Sequence, residues 1–254
     1  MQYNASLYAS NLYKCDLENS FVNNSDQRSR KSKAAKRSAP LRKPTREAIL
    51  DYSAQVFLEV GYAVFSLRRV ASACGMSLGN LQYYFPTYDD LLGATVKKLN
   101  DAVLDGMRAS LEIPTVEPGD SLRNVLLYLL DNVRVSANVK STFEGWAVAQ
   151  RNAGAQKIMR VGYAVYREIF VQAIQPLNPA LHREELLARA MLIGAQVDGL
   201  LLNTFDRGKE IVDWEILKSI CIESARNISC QKGRGTARRA KARRRRAPVL
   251  PSEI

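Results

Sequence analysis

Only one histidine, His182, occurs in the 254 residues, and its scarcity removes most chemistry built on imidazole. Acid–base relays, nucleophile triads and histidine metal sites would all depend on this one side chain. It lies beside Arg183 and Glu184 and reads as a surface residue early in a helix. The glycine signatures of dinucleotide folds, phosphate loops and nucleophile elbows are absent. Cysteine is scarce too: Cys15, Cys74, Cys221 and Cys230 form no C-x-x-C pair and have no histidine nearby to complete a zinc site. They read as reduced thiols, with Cys74 and Cys221 on apolar-patterned segments where a packed small hydrophobe is expected. No metal and no cofactor are expected, and an enzyme is not.

Long apolar runs are also missing. The richest patches, Val125–Leu130 and Gly199–Leu202, are far shorter than the roughly 18 residues a membrane helix needs. Met1–Phe21 carries Asp16 and Glu18 where a signal peptide would be apolar. The expectation is a cytoplasmic protein with no membrane partner.

Basic charge is abundant. Lys and Arg number 37 against 25 acids, a formal net charge of +12. Nine cations and no acid lie between Arg28 and Arg46, and nine more with no acid between Lys232 and Arg246. With those stretches set aside, 19 cations face 25 acids, so a mildly acidic body separates two basic ends. The partner implied is a polyanion, and a protein held near the nucleoid by its tails fits that charge.

The ends also differ from the middle in composition. Residues 1–44 are Asn/Ser-rich and then Lys/Arg/Ala/Ser-rich, closing on Pro40 and Pro44, and read as a flexible basic arm. Residues 231–254, with Gly233, Gly235, Pro248 and Pro251, read as a disordered basic tail. Between them the apolar pattern is helical nearly throughout, with no sustained period-two alternation. Ile49, Tyr52, Val56, Phe57 and Val60 mark one helix. Ser66, Ser77 and Thr87 read as N-caps of the next three, the third running to about Ser110. Further helices are expected at about Ser121–Ala137, Lys140–Arg151, Ala155–Gln175, His182–Phe205 and Asp213–Ile228. The fold predicted is all-α with about nine helices: a three-helix domain over 45–92, then a helical bundle over 93–230.

The stretch from Ser66 to Phe85 holds two short helices joined at Gly75-Met76-Ser77, the form of a helix-turn-helix. Leu67, Val70, Cys74, Met76 and Leu81 would fill the space between its helices, and Ala71 permits close approach. The second helix then offers Leu78, Gly79, Asn80, Gln82 and Tyr83 to a partner. Asn and Gln can pair at two points with adenine, and a leucine or aromatic ring can meet a thymine methyl. The N-cap after Tyr83-Tyr84-Phe85-Pro86 would present backbone N–H groups to a phosphate. Double-stranded DNA is the expected partner.

Arg46 to Leu92, through Gly61-Tyr62, Ser66, Val70-Ala71, Cys74-Gly75-Met76-Ser77, Gly79-x-Leu81, Tyr84-Phe85 and Leu91-Leu92, resembles the DNA-binding segment of the tetracycline-repressor (TetR) family of bacterial transcription regulators. The resemblance implies homodimeric repressors that a small-molecule effector releases from a palindromic operator. It places Arg68, Leu78, Gly79, Asn80, Gln82 and Tyr83 where the family reads bases, and Ser66, Tyr84, Thr87 and Tyr88 where it holds phosphates. Two departures stand out: Gln82 where the family usually has Tyr, and Tyr88-Asp89 where it usually has Lys-Glu. The lost lysine weakens one phosphate contact, though the tyrosine hydroxyl can donate.

Phe143, Trp146, Met159, Tyr163, Tyr166 and Phe170 fall on helices of the kind that line the family's effector cavity, although an aromatic stripe at helical spacing also suits plain core. Asp198, inside an apolar run, would be costly to bury unpaired; it could pair across the dimer or bind a cationic ligand, and facing solvent is the default expectation. The last two helices carry apolar faces for a twofold four-helix dimer interface, with Leu187, Met191, Gly194 and Leu201 on one and Trp214, Leu217 and Ile220 on the other. A chromosome-organising or accessory DNA-binding protein on the same scaffold, without ligand sensing, is the alternative that the basic ends favour.

Overall fold

The computed structural model describes residues 45–133, 136–203 and 212–233; both basic ends lie outside the described residues. These residues are helical, with nine α-helices and no strand among them. In chain order the helices are α1 (Arg46–Val60), α2 (Leu67–Ala73), α3 (Leu78–Tyr84), α4 (Tyr88–Leu111), α5 (Asp120–Val133), α6 (Ser136–Ala149), α7 (Ala153–Ile174), α8 (Arg183–Asn203) and α9 (Trp214–Cys230). The chain divides into two compact units that meet within α4, the first ending at Lys98 and the second beginning at Leu99.

In the first unit, α1 turns Ile49, Leu50, Ala54, Val56 and Phe57 inward. Phe65 sets its ring edge-on to Phe57 at 5.5 Å. Phe85, Leu91, Leu92 and Val96 complete this core. One polar pair is sealed inside it. The Ser53 and Thr95 hydroxyls meet at 2.6 Å, and Thr95 donates onward to the Leu91 carbonyl at 2.7 Å, so neither is stranded away from water. At the surface Lys98 reaches Glu47 and Asp51 at 2.7 and 2.9 Å and ties α4 to α1.

The second unit is a bundle around α7. Leu122, Leu126 and Leu130 of α5, Phe170 and Ile174 of α7, and Ile193 of α8 form its centre, with Met107 of α4. Its buried cation, Arg189, donates to the Ile228 and Ser229 carbonyls at 2.9 and 2.8 Å and pairs with Glu185 at 2.7 Å. A guanidinium thus satisfies carbonyls that the C-terminal end of α9 would otherwise leave bare.

Two helix boundaries differ from expectation. Residues 138–139, where a break is expected, lie inside α6, which is described from Ser136, while α5 is described to Val133. No glycine or proline lies between Ser121 and Val139, so apolar spacing alone misplaces the boundary. The expected end of the eighth helix at Phe205 lies outside the described residues, which stop at Asn203 in α8.

Candidate nucleic-acid interface

Local chemistry builds the helix-turn-helix. The Ser66 hydroxyl accepts from the Arg69 N–H at 3.4 Å and opens α2. Helix α2 closes on Gly75, whose φ of +64° lies in the left-handed region that a side chain rarely adopts. Around it the Gly75 N–H reaches the Ser72 carbonyl at 3.1 Å and the Met76 N–H the Ala71 carbonyl at 3.0 Å. This is a complete Schellman closure, and it reverses the chain within three residues. Ser77 then accepts from the Asn80 N–H at 3.2 Å and starts α3.

Packing decides which face of α3 is free. Val70, Ala71 and Leu81 are buried, whereas Leu67, Cys74 and Met76 are only half-buried, so the filling between the helices is smaller than expected. Burial pushes the Cys74 thiol up to about 11, which leaves it protonated and inert. Gly79, Asn80, Gln82 and Tyr83 are exposed, Tyr83 at 84%, and Leu78 and Tyr84 are half-buried. The Tyr83 and Tyr84 rings meet edge-on at 5.3 Å, which steadies the exposed ring. Arg68 is exposed on α2 with Arg69 beside it, and Ser66 is half-buried.

The start of α4 is less open to a phosphate than the sequence suggests. Thr87 and Asp90 form a reciprocal capping box: the Asp90 N–H donates to Thr87 Oγ1 at 3.1 Å, and the Thr87 N–H and hydroxyl donate to Asp90 Oδ2 at 3.1 and 2.7 Å. Thr87 therefore spends both of its donors on its own helix. Tyr88 is half-buried against Phe65 at 6.0 Å, and burial raises its phenol, which stays a proton donor. Arg46, counted above only as one of the basic residues, lays its guanidinium 4.8 Å over the Phe85 ring and adds a cation beside the motif.

Residues 49–95 match the model of the tetR family of bacterial regulatory proteins. The HTH-type transcriptional regulator PksA of Bacillus subtilis is 27% identical over 196 residues, covering 71% of this chain and 92% of PksA. Over residues 49–95 the chain is similar to the DNA-binding segment of that family. The likeness extends to the whole fold. A TetR transcription regulator from Haloarcula marismortui superposes with a TM-score of 0.57 at 19% identity, covering 72% of this chain and 93% of that one. A protein from Saccharomonospora viridis described as a transcriptional regulator, solved in complex with choline, gives 0.59 at 16% identity, covering 70% and 93%. The protein is a DNA-binding transcriptional regulator.

The regulator's second unit gathers most of the aromatic side chains singled out above. Phe143 and Trp146 of α6 meet edge-on at 5.9 Å, Tyr163 and Tyr166 of α7 at 5.7 Å, and Tyr166 and Phe170 at 5.2 Å. Trp146 Nε1 donates to the Tyr163 hydroxyl at 2.8 Å. Met159 is half-buried and within reach of Gly145 on α6. Phe170 is completely buried and belongs to the core. Asp198, expected to face solvent, instead accepts from the Tyr163 hydroxyl at 3.3 Å. Burial raises its carboxyl to about 6.

The structure divides the residues assigned to a dimer face. Gly194, Leu201 and Trp214 are buried within the regulator's own subunit, Leu187 and Leu217 are half-buried, and Met191 and Ile220 are exposed. The apolar side chains that α8 and α9 leave outside also include Leu192, Leu202 and Ile216. Among the described residues no helix is long and apolar enough to cross a membrane.

Proposed function

We propose that the regulator is a homodimeric repressor that reads a palindromic operator through α3 and releases it when a small molecule binds the second unit. The observation that carries the reading is the division of α3: Leu81 is sealed inside, while Asn80, Gln82 and Tyr83 stand free. Those three side chains supply the two-point donors and acceptors and the ring that major-groove edges require. Arg68 joins them in reading bases, Ser66 and Tyr84 flank them as phosphate contacts, and Tyr88 donates from its hydroxyl. The likeness of residues 49–95 to the tetR family and the choline complex of a structural relative support an effector. Dimerisation is supported by Met191, Leu192 and Leu202 of α8 and Ile216 and Ile220 of α9, each 57–59% exposed.

Selection of bound sequences from random duplex DNA tests the reading. The expected product is an inverted repeat with half-sites about 34 Å apart or a multiple of that, as paired recognition helices demand. Recovery of DNA without any shared sequence would overturn it.

The second reading, an accessory DNA-binding protein without ligand sensing, is favoured by the 18 cations of the two basic stretches. Such charge adds affinity that ignores sequence and falls with salt, by about 0.9 in log affinity per neutralised phosphate for each decade of salt. Genome-wide mapping separates the two, as a few promoter palindromes or as hundreds of scattered sites. Removing residues 1–43 and 231–254 is expected to flatten the salt slope while keeping the preference for operator.

A further inference from the structure

We propose that Arg46, the first residue of α1, is a phosphate-binding residue of the DNA interface, its guanidinium holding a backbone phosphate where α3 gives way to α4. The proposal rests on the reading of α3 as the recognition helix. It adds a contact that lies outside the matched residues 49–95 and that is indifferent to base sequence.

Placement comes first. The fold brings the Arg46 guanidinium 4.8 Å over the ring of Phe85. Phe85 is the residue that closes α3, its N–H bonded to the Leu81 carbonyl at 2.9 Å. Pro86 and the Thr87 cap follow at once, so the cation stands where one helix of the interface ends and the next begins. Tyr84 and Tyr88, the tyrosines proposed at phosphates, lie on either side of that junction.

The ring prepares the cation for a phosphate. Contact with an aromatic face engages the charge of a guanidinium and consumes none of its five N–H donors. Those donors form a planar fork that matches two phosphate oxygens at once. Phe85 is only 1% exposed, so the platform beneath Arg46 is fixed in the core. A long side chain already ordered on such a platform loses less entropy when DNA arrives.

Charge balance points the same way. Glu47 and Asp51, the acids of α1 closest to Arg46 in sequence, are both taken by Lys98, at 2.7 and 2.9 Å. Lys98 is the main cause that holds the Glu47 carboxyl below its usual range, and Arg46 is the smallest. Among the described residues no acid forms an ion pair with Arg46, which is exposed. The first turn of α4, by contrast, carries Asp89 and Asp90 and no Lys or Arg, and Thr87 spends its donors on Asp90. A phosphate approaching that turn meets acids unless a cation reaches it from another helix, and Arg46 is held beside it.

Binding of the full chain to two duplexes of equal length, measured over a range of salt, tests this. One carries the inverted repeat obtained by selection, and the other carries the same bases scrambled. Arg46→Gln is expected to flatten the slope of log affinity against log salt by about 0.9 for each subunit bound, on both duplexes alike. At 0.1 M salt, one decade below 1 M, that slope corresponds to a loss of about eightfold per subunit. Arg46→Lys keeps the charge and is expected to keep the slope. Thermal unfolding of the free proteins separates a mere packing role, since a lid over Phe85 changes melting and leaves the slope untouched. An unchanged slope in Arg46→Gln, an equal flattening in Arg46→Lys, or a loss confined to the selected repeat would overturn the proposal. The reading of α3 fails separately, if the wild type binds both duplexes equally, and the slope on the scrambled duplex still tests Arg46 in that event.

Discussion

A Cβ placed on Gly194 would stand 2.7 Å from Cε1 of Tyr166, so α8 and α7 approach at this point only because residue 194 has no side chain. That closeness also brings Asp198, one turn along α8, to the Tyr163 hydroxyl, nearly one turn before Tyr166 on α7. Gly194→Ala gains about 1 kcal/mol of helix propensity, against about 1–3 kcal/mol for overpacking a ring that cannot retreat. The expected result is a net loss of stability in thermal unfolding. Gly199→Ala, where a Cβ would meet nothing within 4 Å, is the control and is expected to hold or gain.

Asp198 makes stability depend on pH in an unusual direction for a carboxylate. Its pKa rises from 3.8 to about 6 on folding, so its contribution is fully present below about pH 4 and is lost as pH rises through 6. At neutral pH the charged form therefore burdens the fold. The full displacement is worth about 3 kcal/mol, and residual solvent access brings the expected gain in Asp198→Asn to about 1–2 kcal/mol at pH 7. Denaturant melts of both proteins from pH 4 to 8 are expected to diverge as pH rises. Tyr163 and Tyr166 of α7 and Cys221 of α9 are all raised by burial and stay neutral across that range, leaving Asp198 as the group that titrates. A gap between the two proteins that does not change with pH would contradict this account.

The helix-turn-helix was legible in the sequence because its determinants are local. Ser66, Ser77 and Thr87 each cap the helix that follows within three residues, and Gly75 closes the one before it. The second unit was legible only as helices. On α8 apolar residues occupy nearly every side, so periodicity could not tell Gly194 and Leu201, which face their own core, from Met191, Leu192 and Leu202, which do not. Asp198 was misplaced for a related reason. Its partner, Tyr163, lies 35 residues away on another helix, and nothing near Asp198 in the chain announces it. Thr87 shows the opposite limit, since its cap was foreseen but not that capping would use up its donors.

If Asn80, Gln82 and Tyr83 read bases, alanine at any one is expected to cost about 1–3 kcal/mol at the operator and to relax its sequence preference, with little change on random DNA. Gly79 gives a complementary test. A Cβ there would meet nothing in the protein, so Gly79→Ala is expected to stabilise the free domain by up to about 1 kcal/mol. On the operator it is expected to bind worse, because a methyl group on the exposed face intrudes on a close-lying groove. Gel-shift titrations on operator and scrambled duplexes check both, and equal losses on the two duplexes would mean that α3 does not read sequence.

The dimer is best tested where the subunit's own core is untouched. Gly194→Arg would drive a side chain into Tyr166 and unfold the bundle, so a monomer obtained that way would say nothing about the interface. Ile216 and Ile220 lie one turn apart on α9 and are both exposed, so replacing them with Glu leaves the folded subunit intact. Burying an isoleucine is worth about 1.5–3 kcal/mol, and a twofold interface counts each residue twice. Four buried glutamates would also repel one another across the axis. The Ile216→Glu, Ile220→Glu protein is therefore expected to sediment as a monomer at micromolar concentration with unchanged helical circular dichroism, while the wild type sediments as a dimer. Its operator affinity is expected to fall to that of a single half-site, because the second recognition helix no longer arrives with the first. A variant that remains dimeric would place the interface on another face of the bundle.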